Sequence, residues 1–495
     1  GGRGMVSAMR EISGLDVLAL DRARISRDPR FDGKFFIAVT STGIYCRPIC
    51  PVRSPKRVHI HYYPTAAAAA EAGYRPCLRC RPEAAPGSPA WLGTSSIVRR
   101  ALRLIDDGCL DGGSVEDLAA RLGIGTRHLD RLFMEHVGAS PIAVAQTRRL
   151  HFAKRLLDET HLPITETALA SGFGSVRRFN DAFRSAYGLT PQELRRRRRS
   201  VLAVSGEEVA LRMAFRPPYD WKHMRGFLAT RALAGVERVD HRGYARTVAC
   251  GVGHALVRVS PLADENMLEL RVRGAAPGAL FSLSSTARRM FDLAADPGRI
   301  VPALEHDPLL APLVRSHPGL RIPGVWDPFE CAVRAVLGQQ VSVAAGRTFA
   351  ERVIERTGQA VSTGESELTH LFPSPAALAL ADLDGIGLTS ARVGTLRVLA
   401  GAVRDGLDLS GPAEDVIGAL TALPGIGTWT AQYVALRALG EPDAFLAADL
   451  VLRRVASSID APLSARALEA RADAWRPWRG YAALHLWRAA ADRDR

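Results

Sequence analysis

The sequence predicts a multidomain chain in four segments: a small domain organised by cysteines, an all-helical double helix-turn-helix, a domain that opens with strands, and a helical domain at the end. Three observations lead there. Four of the seven cysteines fall in two tight pairs within residues 13–85. A helical pattern repeats within residues 94–199, with equivalent positions 49 or 50 residues apart. The start of segment 207–325 alternates apolar and polar residues with period two, and helical periodicity returns over 326–495. At roughly 100–200 residues per domain, 495 residues exceed what one core can organise.

Composition narrows the class. With 47% apolar and 23% charged residues the chain is globular, which excludes a mainly disordered, collagen-like or disulfide-miniprotein chain. No window approaches 18 uninterrupted apolar residues, so no membrane span is expected. The start, Gly1-Gly-Arg-Gly-Met5, lacks the apolar core of a signal peptide, and a cytoplasmic protein is expected. The net charge of +14 is localised: residues 1–200 hold 32 basic and 19 acidic side chains, the remainder 33 and 32. An Arg-rich genome would spread such charge evenly. A basic N-terminal part implies a polyanionic partner, nucleic acid first.

The pairs Cys46-Arg-Pro-Ile-Cys50 and Cys77-Leu-Arg-Cys80 can supply four thiolates to one tetrahedral Zn²⁺. Spacing alone is equally that of a structural zinc ribbon. Arg47, Arg53, Arg75, Arg79 and Arg81 crowd the same stretches, however, and could hold a phosphate backbone against electron-rich sulfurs. That would permit methyl transfer from a phosphotriester to sulfur. Cys109, Cys250 and Cys331 read as buried bystanders, and Pro82 to Pro89 reads as a linker.

In the second segment Gly123-Ile-Gly125-Thr126 recurs as Gly172-Phe-Gly174-Ser175, and Phe133, Gly138 and Pro141 recur as Phe183, Gly188 and Pro191. Each copy reads as helix, Gly-containing turn, helix, with Thr126 and Ser175 at the N-cap. The second helices would offer Arg127, His128, Asp130 and Arg131, and Val176, Arg177, Arg178 and Asn180, to a major groove. A helical bundle with basic faces is the plainer alternative. The segment closes on Arg195–Arg199.

Near the other end, Leu423-Pro-Gly425-Ile-Gly427 precedes a helix, so backbone N–H groups could cradle a DNA phosphate. Asp449 follows in an apolar stretch, either as a helix cap or as a catalytic carboxylate. Trp429, Tyr433, Trp475, Trp478 and Trp487 accompany it, of which Trp475 and Trp478 read as core.

These motifs resemble three known families. Phe35 to Pro51 and Ala72 to Pro82 resemble the methyl-acceptor zinc domain of Ada-type proteins, and the helical repeat resembles the double helix-turn-helix of AraC-type regulators. Phe215-Arg-Pro-Pro-Tyr-Asp-Trp221, Arg321 to Glu330, Val336 to Val343, the Gly hairpin, Trp475-Arg-Pro-Trp-Arg and Leu484-His-Leu-Trp487 resemble AlkA-type 3-methyladenine DNA glycosylase II. The fold implied is therefore a small α+β zinc domain (13–85), an all-α AraC-type domain (94–199), an α+β glycosylase N-terminal domain (207–325) and an all-α helix-hairpin-helix glycosylase domain (326–495).

The resemblance implies one Zn²⁺ on Cys46, Cys50, Cys77 and Cys80, with Cys46 accepting a methyl group irreversibly from a DNA methylphosphotriester. It places Thr42, Arg53, Arg75 and Arg79 on the DNA backbone. It makes Asp449 the catalytic carboxylate of a monofunctional glycosylase for N3/N7-alkylated purines, since Trp429 stands where a lyase would carry Lys. Trp429, Tyr433 and Trp487 would line the pocket for a flipped base, and Gly425 and Gly427 would meet the DNA. Gln340 would fill the vacated stack where the family has an apolar wedge. The carbonyls of Thr421, Leu423 and Ile426 would hold a monovalent cation. The Pro-Cys-His-Arg motif of a second Ada methyltransferase domain is absent from this sequence. Double-stranded DNA and RNA polymerase are the expected partners, for a nucleoid-associated monomer away from membranes. The competing reading is a methylation-responsive regulator whose glycosylase-like half is an inactive DNA-binding platform.

Overall fold

The computed structural model describes residues 11–12, 15–87, 96–197, 208–251, 253–263, 265–457 and 462–493. Ser88-Pro89 of the expected linker, and Arg198 and Arg199 of the basic run, lie outside them. The chain forms two compact units, residues 1–216 with 276–285, and residues 217–275 with 286–495.

In the first unit, β1 (Glu11–Ile12) pairs with β2 (Leu15–Asp16), and α1 (Val17–Ser26) starts on the Asp16 side chain, which accepts from the Ala19 N–H. A four-stranded sheet follows, in the order β5-β3-β4-β6: β3 (Phe36–Val39), β4 (Ile44–Cys46), β5 (Ile60–Tyr63) and β6 (Arg75–Pro76). Pro76 fits the ladder because β6 is an edge strand. Helix α2 (Ala66–Glu71) precedes β6 and buries Ala67, Ala68 and Ala69.

Helices α3 (Ser96–Asp106), α4 (Cys109–Gly112), α5 (Val115–Leu122) and α6 (Thr126–His136) then lead into the long α7 (Pro141–Glu159), followed by α8 (Ile164–Ala170), α9 (Val176–Tyr187) and α10 (Pro191–Arg196). Each copy of the repeat has its own core, Leu118, Leu129 and Phe133 in one, Ala168, Phe179 and Phe183 in the other. Burying each Phe contributes about 2–3 kcal/mol. One expectation is corrected: Thr126 is the first helical residue, and Gly125 is the N-cap, without a side-chain cap bond. In the second copy Ser175 is the cap, accepting from the Arg178 N–H. The offset between copies grows from 49 to 50 because the second turn carries one more residue before its cap. Strand β7 (Glu208–Ala214) also clusters with this unit, although the sequence assigns it to the third segment.

In the second unit α11 (Trp221–Ala229) precedes an antiparallel meander of β8 (Glu237–Asp240), β9 (Gly243–Cys250), β10 (Gly253–Pro261) and β11 (Met267–Arg273). Val257 of β10 faces Arg246 on one side and Val272 on the other. Helices α12 (Leu280–Met290), α13 (Pro297–Leu304) and α14 (Leu310–Ser316) follow, the first six residues of α12 clustering with the first unit. The all-helical part runs α15 (Pro328–Leu337), α16 (Val343–Thr357), α17 (Pro375–Ala379), α18 (Ser390–Arg404), α19 (Ala413–Thr421), α20 (Thr428–Arg437), α21 (Leu450–Val455), α22 (Ala465–Ala472) and α23 (Arg479–Arg493). Trp475 and Trp478 are core residues here, and the Trp475 indole N–H donates to Asp307. Among the described residues no helix is long and apolar enough to cross a membrane.

Candidate functional site

The end of β4 and the turn after β6 bring the two cysteine pairs together. The sulfurs of Cys46, Cys50, Cys77 and Cys80 all lie within 4.8 Å of one another. A tetrahedron of Zn–S bonds near 2.3 Å has edges of about 3.8 Å, so this donor set fits Zn²⁺. Of the other cysteines only Cys331 is buried; Cys109 and Cys250 are half-buried, because a short helix and a strand end leave them one open side.

The arginines near the cluster divide by partner. Arg47 is buried, pairs with Asp32 through Nε–H at 2.8 Å and donates to the Cys80 carbonyl at 3.0 Å. Arg81 pairs with Glu83, Asp158 and Glu159. Neither is free to grip a phosphate. Thr42, Arg53, Arg75 and Arg79 are exposed, and the three arginines have no ion-pair partner among the described residues. The expected linker is also corrected at its start. Pro82–Ala84 forms a 3₁₀ turn, and buried Glu83 accepts from Lys154 of α7 at 2.7 Å. The Tyr45 hydroxyl, next to Cys46, meets Nε2 of His151 on α7 at 2.9 Å. The zinc domain is thus fixed to the helix that joins the two repeat copies.

On the second helices of that repeat, Arg127, His128, Asp130 and Arg131 are exposed on α6, and Arg177 and Arg178 on α9. Val176 and Asn180 are half-buried. His128 and Glu135 both touch Arg131, at 3.2 and 3.5 Å, which orders its guanidinium on the open face.

In the second unit, α19 and α20 bracket the turn Ala422–Gly427. Gly425 sits at φ +83°, and a Cβ there would fall 2.0 Å from Thr395 Oγ1. Both the left-handed backbone and this contact require glycine. Gly427 caps α20 without a side chain and opens to space, leaving the first-turn N–H groups uncapped by one. The Leu423 carbonyl accepts from the Ile426 N–H at 3.1 Å, which folds Thr421, Leu423 and Ile426 round one turn. Gln339, which the sequence reading passed over, donates to the Gly425 carbonyl at 3.0 Å and to Thr430 at 3.1 Å. The next residue, Gln340, is exposed and held at φ +56°. No local sequence signal marks Gln339, since its partners lie some ninety residues away.

Asp449 is the N-cap of α21, with Oδ1 accepting from the Leu452 N–H at 3.0 Å. It is also the meeting point of two indoles. Trp429 Nε1–H donates to Oδ2 at 3.0 Å, and Trp487 Nε1–H lies 3.4 Å from Oδ1. The cap and catalytic readings therefore describe one carboxylate, whose orientation three N–H donors set. Trp429 stacks on Tyr433, one turn along α20, with centroids 5.3 Å apart and planes 11° from parallel. A purine does not fit between two rings that close. Tyr433 backs one face of the Trp429 indole.

A four-thiolate centre beside a doubled helix-turn-helix, and a hairpin-backed carboxylate between indoles, define a class: a zinc-binding regulator module joined to a glycosylase-type helical domain. Three family descriptions match the chain, the metal binding domain of Ada over residues 19–83, a helix-turn-helix domain over 118–197 and the AlkA N-terminal domain over 210–327. It is 43% identical to the "Probable bifunctional transcriptional activator/DNA repair enzyme AlkA" of Mycobacterium tuberculosis over 94% of this chain and 95% of that one. It is 36% identical to DNA-3-methyladenine glycosylase 2 of Escherichia coli, over 55% of this chain and 95% of that protein. In fold it is similar to the 3-methyladenine DNA-glycosylase of Archaeoglobus fulgidus, with a TM-score of 0.51 and 20% identity over 57% of this chain and 98% of that one. The chain belongs to the family of the M. tuberculosis protein, and its four clustered cysteines are a zinc site.

Proposed function

We propose that this chain is a DNA alkylation repair and response protein. It excises N3- or N7-alkylated purines through Asp449, and Cys46 takes a methyl group from DNA methylphosphotriesters to activate sequence-specific transcription. The observation that carries the reading is the Asp449 carboxylate held between the indoles of Trp429 and Trp487.

Alkylation at N3 or N7 makes the purine a cationic leaving group. Flipping it out costs a few kcal/mol, which stacking on the Trp429 face offsets in part. As the glycosidic bond breaks, its electron pair leaves with the base and positive charge develops on the sugar. Asp449 stabilises that charge, and water adds at the anomeric carbon. Trp429 leaves no amine there for a Schiff base, so a monofunctional glycosylase results. Gln340 at its exposed tip would occupy the vacated stack, and Gly425 and Gly427 would meet a phosphate. The carbonyls of Thr421, Leu423 and Ile426 would hold a monovalent cation.

In the first unit Cys46, Cys50, Cys77 and Cys80 hold the zinc, which when bound keeps the four sulfurs as thiolates. Thr42, Arg53, Arg75 and Arg79 would hold the phosphate backbone. The Cys46 sulfur forms a bond to the methyl carbon as the methyl C–O bond breaks, and the phosphodiester leaves as an anion. Arg127, His128, Arg131, Arg177, Arg178 and Asn180 would read the promoter. The protein would act as a monomer on the nucleoid in the cytoplasm, with RNA polymerase as its partner.

The test is to incubate the protein with methylated DNA, measuring free 3-methyladenine and mapping Cys46 methylation by mass spectrometry. Release of base together with a methylated Cys46 is expected. Cys46 methylation without base release would favour a regulator with an inactive glycosylase-like half.

A further inference from the structure

Behind the Trp429–Tyr433 stack lies a buried positive charge. Arg437 follows Tyr433 by one turn of α20 and is 7% exposed. Its guanidinium carbon lies 5.3 Å from the Tyr433 ring centroid, and Nη1–H donates to the Tyr433 hydroxyl. Nε–H donates to the Pro323 carbonyl, and Nη2–H to that of Gly324 at 3.3 Å. The Phe227 ring of α11 lies between this guanidinium, at 4.7 Å, and that of Arg231, at 3.8 Å. Trp429, Tyr433 and Arg437 thus form one column along α20, spaced by four residues.

No carboxylate among the described residues answers this charge. The neighbouring Arg246 and Arg334 are matched by Glu237 and Glu330, with contacts of 2.7 to 3.8 Å. Arg437 and Arg231 have no carboxylate partner among the described residues. A protein that wanted only the strongest attraction for a cationic purine would leave the far end of such a column neutral, since like charges repel through it.

We propose that Arg437 is a specificity-determining positioning residue, whose charge acts through the Tyr433–Trp429 column to weaken the preference for cationic over neutral bases. The proposal rests on the glycosylase reading. Arg437 touches neither base nor sugar. It occupies the cation position on Tyr433 and repels a cation stacked on Trp429, while a neutral purine stacks unopposed. Two helical turns separate Trp429 from Arg437, about 12 Å, and a base on the open face of the indole lies about 15 Å away. At an effective dielectric of about 20–40, a unit charge there changes the preference about two- to sixfold.

The experiment measures single-turnover release of 7-methylguanine, a cationic base, and hypoxanthine, a neutral one, from duplex DNA by the full-length zinc-loaded protein. The cationic-to-neutral ratio is compared among wild type, Arg437→Gln and Arg437→Lys. Normalising each variant to wild type cancels the intrinsic lability of the two bonds. Arg437→Gln keeps amide donors for the Pro323 and Gly324 carbonyls, and its ratio is expected to rise about two- to sixfold. Arg437→Lys keeps the charge, and its ratio should match wild type even if both rates fall. A purely structural role would lower both rates together. An unchanged ratio in Arg437→Gln, or an equal rise in Arg437→Lys, overturns the proposal. So does wild-type protein that releases 7-methylguanine but no hypoxanthine. If wild type releases neither base, the glycosylase reading itself fails.

Discussion

Replacing Asp449 by Asn removes one negative charge and almost no volume, and the structure sets what that should cost. A sugar centre at van der Waals distance, about 4 Å from the carboxylate, gains about 4 kcal/mol from it at an effective dielectric of 20. Loss of that attraction slows bond cleavage about a thousandfold. Stability should change little. Asn is as good an N-cap as Asp, and its carbonyl can still accept from the Leu452 N–H. The amide nitrogen would face the Trp429 N–H, a donor against a donor, costing about 1 kcal/mol at this half-exposed position. The assay is single-turnover release of 3-methyladenine from methylated duplex DNA, alongside zinc content and a thermal melt. Excision should fall at least a hundredfold, with zinc binding and Cys46 methylation intact. Excision within tenfold of wild type would refute the assignment of Asp449.

Cys46→Ser should still bind zinc, more weakly, through three thiolates, but accept no methyl group; mass spectrometry after incubation with methylated DNA reads both. If Cys50→Ser alone blocked transfer, the nucleophile would be Cys50. Methylating Cys46 removes one negative charge facing DNA, worth about 0.7–3 kcal/mol per phosphate at about 6 Å. Promoter affinity should then rise from several-fold to about a hundredfold, and the gain should shrink with salt; equal affinities of methylated and unmethylated protein at two salt concentrations would rule this out. In the second unit, burial first, and then the neighbouring His317 and His223, press His485 down to about 3. Its folded value lies below the usual one, so the unfolded chain takes the proton first. The His485 contribution is complete above about pH 6.5 and falls by about 1.4 kcal/mol per pH unit below it. Burial depresses His151 and His223 the same way, both to about 4, so thermal melts from pH 7.5 to 5 should fall more steeply than one group dictates, and His485→Gln should remove one group's share of the slope; an unchanged slope in the variant would place the titration elsewhere.

What the sequence made legible was whatever is local. Cysteine spacing, the turn glycines and the position of Asp449 relative to the hairpin all act within about thirty-five residues, and all meet in space as their spacing suggests. Remote pairing was hidden. Arg47 and Arg79 look alike in the chain, yet Asp32 claims the first and no carboxylate among the described residues claims the second. Gln339 and Arg437 matter through carbonyls 86 and 114 residues away, which carry no side-chain signature. Thr126 misled because threonine is a good cap, but the helix begins one residue earlier, with Leu129 N–H bonding to the Gly125 carbonyl.

The pairing of buried Glu83 with Lys154 bears on how such chains can be recombined. Both side chains are almost wholly out of water, and losing one leaves the other with a single remaining partner, Arg81 for Glu83 or Asp158 for Lys154. Arg81 with Asp158, and Tyr45 with His151, cross the same seam. A hybrid cut at Ser88-Pro89, the end of the expected linker, would separate partners that must match. Zinc domain and helical repeat therefore behave as one hereditary unit: a relative's zinc domain can be exchanged only with its own version of α7, and substitutions on one side of the seam confine those tolerated on the other.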